Sequence, residues 1–113
     1  MIDEILTAAG FAAGKTYTET LFHSPPQRTF VVFHRDTDMD GADDTCEIAD
    51  ISVRLELYAL NRPDTAAEQR LETTLKSRGI HYRKYERTWI QSERYFETSY
   101  EFNYTEKETL NNG

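Results

Sequence analysis

Cysteine is almost absent from this chain: Cys46 stands alone, with no CxxC pair. An internal disulfide, a thiolate zinc site and thiol exchange are thereby excluded. That usage suits a reducing cytoplasm. Basic residues are also short, 13 Lys and Arg against 20 Asp and Glu, for a formal charge of −7. The sign is wrong for a protein that gains affinity by displacing counterions from phosphates, so specific nucleic-acid binding is not expected. An anionic membrane surface is disfavoured on the same ground. No apolar run approaches the roughly 20 residues of a spanning helix. The opening segment MIDEILTAAG carries acids where an export signal would carry bases, so the chain is expected to be soluble and to stay where it is made.

Signatures of catalysis are missing as well. There is no G-x-S-x-G, no P-loop and no G-x-G-x-x-G, and Ser24, ahead of Pro25-Pro26, has no nearby base to activate it. His23, His34 and His81 fall on three separate predicted elements without ligand-like spacing. Carboxylate pairs such as Glu97 and Glu101 read as a solvated face in so acidic a chain. The sequence therefore designates no catalytic, cofactor-binding or metal-binding residue, and no enzyme is expected.

What is present is material for one core. The 113 residues are 38% hydrophobic and 29% charged, with seven Tyr, six Phe and one Trp, and are read as a single domain over 1–113. Ile2, Ile5, Leu6 and Ala9 form the stripe of a short helix that Gly10 or Gly14 can end. Residues 15–22 and 29–35 are rich in β-branched and aromatic types and predict two strands, separated by Ser24-Pro25-Pro26. Between Asp50 and Leu60 the apolar Ile51, Val53, Leu55, Leu57 and Ala59 alternate with Asp50, Ser52, Arg54 and Glu56, the period of a sheet wet on one face.

Asp64 or Thr65 can cap a second helix with Ala67, Leu71 and Leu75 on one face, and Gly79 can end it. Residues 80–90 read as a strand, Gln91-Ser92 as a turn, and 93–107 as a last strand with Phe96, Tyr100, Phe102 and Tyr104 on one side. Residues 106–113 look like a frayed tail. The order α-β-β-β-α-β-β predicts an α+β fold. It should have one mainly antiparallel sheet of about five strands, with both helices on its apolar face.

The sharpest local pattern is Asp36-Thr37-Asp38-Met39-Asp40-Gly41-Ala42-Asp43-Asp44-Thr45-Cys46-Glu47, which fits the calcium-loop expression D-x-D-x-D-G-x₅-E. Its flanks are strand-like where an EF-hand has helices, Asp43 stands where an apolar residue is usual, and there is no second loop to pair with. An acidic loop from Asp36 to Asp44, turned at Gly41, is the plainer reading. A calcium-dependent binding module using Asp36, Asp38, Asp40 and Glu47 is the alternative function.

Leu55-Glu56-Leu57-Tyr58, the helix with Glu68, Leu71 and Leu75, and Gly79-Ile80-x-Tyr82 follow one another in the C-terminal half. Ile90-x-Ser92-Glu93 and the strand from Tyr95 to Phe102 complete the run. With Pro25-Pro26 ahead of an apolar strand, this order resembles small phage and prophage tail-completion proteins, the tail-terminator or head-tail joining family, over about residues 25–105. The resemblance implies a virion structural protein that assembles as a homo-oligomeric ring, often of six subunits. Such a ring caps the tail tube and joins it to the head connector. It implies assembly in the host cytoplasm, then residence in the virion tail, with no cofactor.

Overall fold

In a computed structural model the backbone is described for residues 1–41 and 46–109, and side chains for 1–38 and 49–106. The elements are α1 (Ile2–Ala8), β1 (Tyr17–Glu19), β2 (Phe30–Gly41), β3 (Cys46–Leu60), α2 (Thr65–Ser77), β4 (Tyr82–Lys84), β5 (Thr88–Ile90) and β6 (Tyr95–Thr109). The fold is α+β, with two helices and a mixed six-stranded sheet of order β1-β2-β3-β6-β4, in which β5 also pairs with β6.

β3 is the spine. It pairs antiparallel with β2 on one side and with β6 on the other, over nearly its whole length. Its odd residues Ile51, Val53, Leu55, Leu57 and Ala59 are all buried, while Asp50, Ser52 and Arg54 are exposed. Successive side chains of a strand point to opposite faces, so this alternation gives the sheet one helix-covered face and one open face. Val31 and Phe33 of β2, and Thr98, Tyr100, Phe102 and Tyr104 of β6, join the covered face through their register with β3. There all of these but Thr98 pack with Ile2, Ile5 and Leu6 of α1 and Ala67, Leu71 and Leu75 of α2 in a single cluster.

Both helices end by the same device. Gly10 and Gly79 take φ of 99° and 70°, a region in which a Cβ is costly. The turn lets Phe11 N–H reach Leu6 O at 2.9 Å and Ile80 N–H reach Leu75 O at 3.0 Å, closing Schellman motifs. At the start of α2, the Asp64 carboxylate accepts from Ala67 N–H at 3.0 Å. Arg70 Nε of α2 donates to Ala9 O at 3.1 Å, tying the end of α1 to α2.

Four expectations are corrected. β1 pairs with β2 in parallel, Tyr17 opposite Val31, instead of antiparallel, because the chain passes back along the sheet through residues 20–29 before β2 begins. Asp36 to Gly41 is strand and not loop: Asp36 lies opposite Ser52 and Gly41 opposite Glu47, so β3 begins at Cys46, ahead of Asp50. Pairing along that side of the hairpin overrides the low strand propensity of Asp and Gly. Residues 42–45 lie outside the described residues. The expected strand over 80–90 is two short ones, which makes the strands six and not five; after a last bond from Tyr85 N–H to Ser99 O, Glu86 and Arg87 leave the ladder between them. Finally, residues 106–109, read as frayed tail, continue β6 against β3, while 110–113 are outside the described residues.

Candidate assembly surfaces

The lateral strands are much shorter than the three they flank. β1 covers β2 only at Val31 to Phe33, and β4 covers β6 only at Tyr100 to Phe102. Beyond these points β2, β3 and β6 continue as a three-stranded arm. Among the described residues, no strand pairs with the outer edge of β2 over 34–41 or of β6 over 103–109. Such edges present unpaired N–H and C=O groups and are templates for another strand.

Which residues turn their backbone outward follows from the bonds already made. Val31 N–H donates to Thr16 O at 2.8 Å and Phe33 O accepts from Thr20 N–H at 2.9 Å, so the odd residues of β2 face away from β3. Tyr85 N–H donates to Ser99 O at 2.9 Å, so the odd residues of β6 do the same. Thr37 on one edge and Asn103 and Thr105 on the other thus carry the outward groups. A groove of about 810 Å³ runs along the β6 edge, with Arg78, His81 and Arg83 on one wall and Glu101, Asn103 and Thr105 on the other.

On the open face, near the opposite end of the sheet, lies an aromatic patch. Phe30 stacks on Tyr58 with ring centroids 5.0 Å apart, and Tyr95 meets both edge-on at 5.4 and 5.8 Å. Phe22, brought over by the 20–29 segment, packs edge-on against Phe30 at 5.4 Å. Leu21 is 55% exposed beside it, and a groove of about 380 Å³ runs between Pro25, Val32, Tyr58 and Ile90. Carboxylates border this patch. Tyr58 Oη donates to Glu97 at 2.9 Å, and burial followed by that bond holds the phenol well above its usual range. Burial and the neighbouring Glu56 also raise the Glu97 carboxyl. Trp89, 41% exposed, sits across the sheet edge on the covered side against Phe96.

A buried charge cluster under α2 holds this architecture in place. Glu68, 4% exposed, accepts from Arg87 at 2.9 and 2.7 Å and from Thr98 Oγ1 at 2.8 Å. Glu72 accepts from Tyr100 Oη at 2.7 Å and pairs with Lys84 Nζ at 2.8 Å. Burial alone would raise both carboxyls. For Glu68 the hydrogen bonds of Arg87 and Thr98, with the Lys84 and Arg87 charges, outweigh it and hold the group below its ordinary range. Lys84 and Tyr100 do so for Glu72. With every partner a donor already engaged, the cluster reads as a clamp between helix and sheet edge. Sequence reading missed it, although Glu68 lies three residues before Leu71 on the apolar stripe and a basic run, Arg83 to Arg87, follows in the chain.

The three histidines are exposed and apart; His34 Nε2 meets Glu56 at 3.2 Å, and neither His23 nor His81 joins it. Of the calcium pattern, Asp36 and Asp38 lie exposed on β2, while the side chains of Asp40, Asp43, Asp44 and Glu47 fall outside the described residues. Alternate residues of a strand stand about 6.6 Å apart, so the backbone positions of Asp36, Asp38 and Asp40 are drawn out in a row where a calcium loop would wrap them around one point. Glu97 and Glu101, both odd residues of β6, share the open face without touching a common partner.

No family model matches the chain, and no curated protein matches it. No helix among the described residues is long and apolar enough to cross a membrane.

Proposed function

We propose that this chain is a structural subunit of a phage or prophage tail, a tail terminator or head-tail joining protein that assembles into a ring, most simply of six copies. The observation that carries the reading is the arm, which bears, among the described residues, two unpaired strand edges on opposite sides of one three-stranded sheet. A closed ring requires each copy to offer two different patches, one to each neighbour, and the two edges are such a pair. The aromatic patch on the open face supplies a further surface for the tail tube or head connector. An acidic open face, with Asp36, Asp38, Asp50 and Glu101, suits a conduit to which DNA must not adhere. The work is mechanical: to cap, to join and to hold a channel open.

Electron microscopy of the concentrated protein, alone and mixed with purified tail tubes, tests this. Rings of one size, and tubes capped at one end, are the expected images. Tubes that stay uncapped, with no rings in the free protein, would remove the assignment.

A further inference from the structure

On the reading that the chain forms a ring, we infer that neighbouring copies join by strand pairing, the outer edge of β6 in one copy taking the outer edge of β2 in the next. The occupant of the groove beside β6 is therefore a second copy of this chain. Four observations lead there. Both edges are unpaired among the described residues, over 34–41 and 103–109, and each is about 25 Å long. They lie at the same end of the sheet, Asp38 and Thr105 both opposite Asp50, and the pairing is confined to this arm because β1 takes the outer edge of β2 up to Phe33 and β4 that of β6 up to Phe102. β2 and β6 are each antiparallel to β3 and so run in the same direction. In a ring whose copies are related by rotation alone, an incoming β2 therefore meets β6 in parallel.

Charge supplies the fourth. The wall of the groove beside β6 carries Arg78 and Arg83, with Glu101 as the one carboxylate among its lining residues, while the exposed β2 edge carries Asp36 and Asp38. Asp36 and Asp38 of an incoming strand thus enter beside Arg78 and Arg83 at the start of the free β6 edge, whereas two β2 edges would set these carboxylates against each other. Repeated around the ring, the pairing joins the three-stranded arms into one continuous sheet, in which no arm edge is left unpaired once it closes.

Proline at an outward-facing residue removes the donor that an incoming strand needs and leaves the bonds to β3 intact. Thr37→Pro spoils only the β2 edge and Thr105→Pro only the β6 edge. Sedimentation of wild type, each variant and their equimolar mixture is the experiment, with the folded state checked by circular dichroism. We expect rings from wild type, monomers from each variant alone, and dimers with nothing larger from the mixture, because one good edge of each kind remains there. Rings from either variant, or a mixture that stays monomeric, would overturn the pairing and leave the ring reading standing on other patches. A wild type that never assembles would overturn both. Should a proline variant lose its folded spectrum, hydrogen exchange on wild type decides. The Thr37, Asn103 and Thr105 amides should slow by about tenfold or more in the ring, and unchanged exchange there would overturn the pairing.

Discussion

Glu68 and Arg87 form a two-pronged ion pair, 2.9 and 2.7 Å, between the buried face of α2 and the segment that joins β4 to β5. The carboxylate is buried and the guanidinium is about one-third exposed, so the two mutations are not equivalent. Glu68→Ala leaves Arg87, Thr98 and part of Lys84 without their acceptor, and we expect it to cost about 3 kcal/mol. Arg87→Ala should cost less, since Thr98 and Lys84 still serve Glu68. Urea denaturation of both variants checks the order, and equal costs would mean the clamp is not built around the carboxylate.

The same cluster sets a response to acid. Glu68 and Glu72 are held below the ordinary carboxylate range in the fold, so the stability they contribute is present above the unfolded value, about pH 4.3, and is lost as pH falls through the folded one. Glu97 is raised and works in the opposite sense, its protonation favouring the fold as pH falls. Asp64, where the bonds from Thr29 and the Ala67 N–H outweigh burial, is depressed as well, and three depressed groups against one raised group give a net loss in acid. The urea midpoint of wild type should drop between about pH 5 and pH 3, and Glu68→Gln should show a shallower drop. Parallel profiles would contradict the role given to Glu68.

The facing of β3 makes a sharper prediction about packing. Leu55 is fully buried between the helices and the sheet, while the Arg54 side chain is 56% exposed on the open face. Leu55→Ala should cost roughly 2 to 5 kcal/mol through the cavity it leaves, and Arg54→Ala under about 1. Thermal melts of the two variants would show it, and similar losses would mean a register shifted by one residue, which exchanges the faces.

How much of this was legible in the residues depends on how local each cause is. The strict alternation from Ile51 to Ala59, the Asp64 cap and the Gly79 stop act within a few residues, and the structure has them where the sequence reading placed them. The strand from Asp36 to Gly41 was not legible, because its composition is that of a turn and only the partner strand from Glu47 to Ser52 makes it extended. The parallel pairing of Tyr17 with Val31 likewise depends on a return path through 20–29 that carries no period. The break at Glu86 and Arg87 lets Arg87 reach Glu68, a contact 19 residues away in the chain. The two unpaired edges are relations between strand lengths, so they became visible only with the sheet assembled.

Calcium offers a test of the acidic stretch. A loop that gathered Asp36, Asp38, Asp40 and Glu47 around an ion would be stabilised by binding, with a higher Tm in millimolar calcium. With Asp36, Asp38 and Asp40 spaced along β2, we expect no change in Tm. A rise of several degrees that Asp36→Ala abolishes would restore the calcium reading.

Sedimentation velocity of the full chain across a wide concentration range addresses the central claim most directly. With −7 charge per copy, subunits should repel and remain monomeric when dilute, then pass to one discrete closed species, six copies in the simplest case, without a continuous series of larger forms. Closure distinguishes a ring from open polymerisation, because a ring has no edge left to extend. A single large boundary whose mass no longer grows with concentration is the result the account predicts. A monomer persisting to millimolar concentration, or a distribution that lengthens without limit, would contradict it.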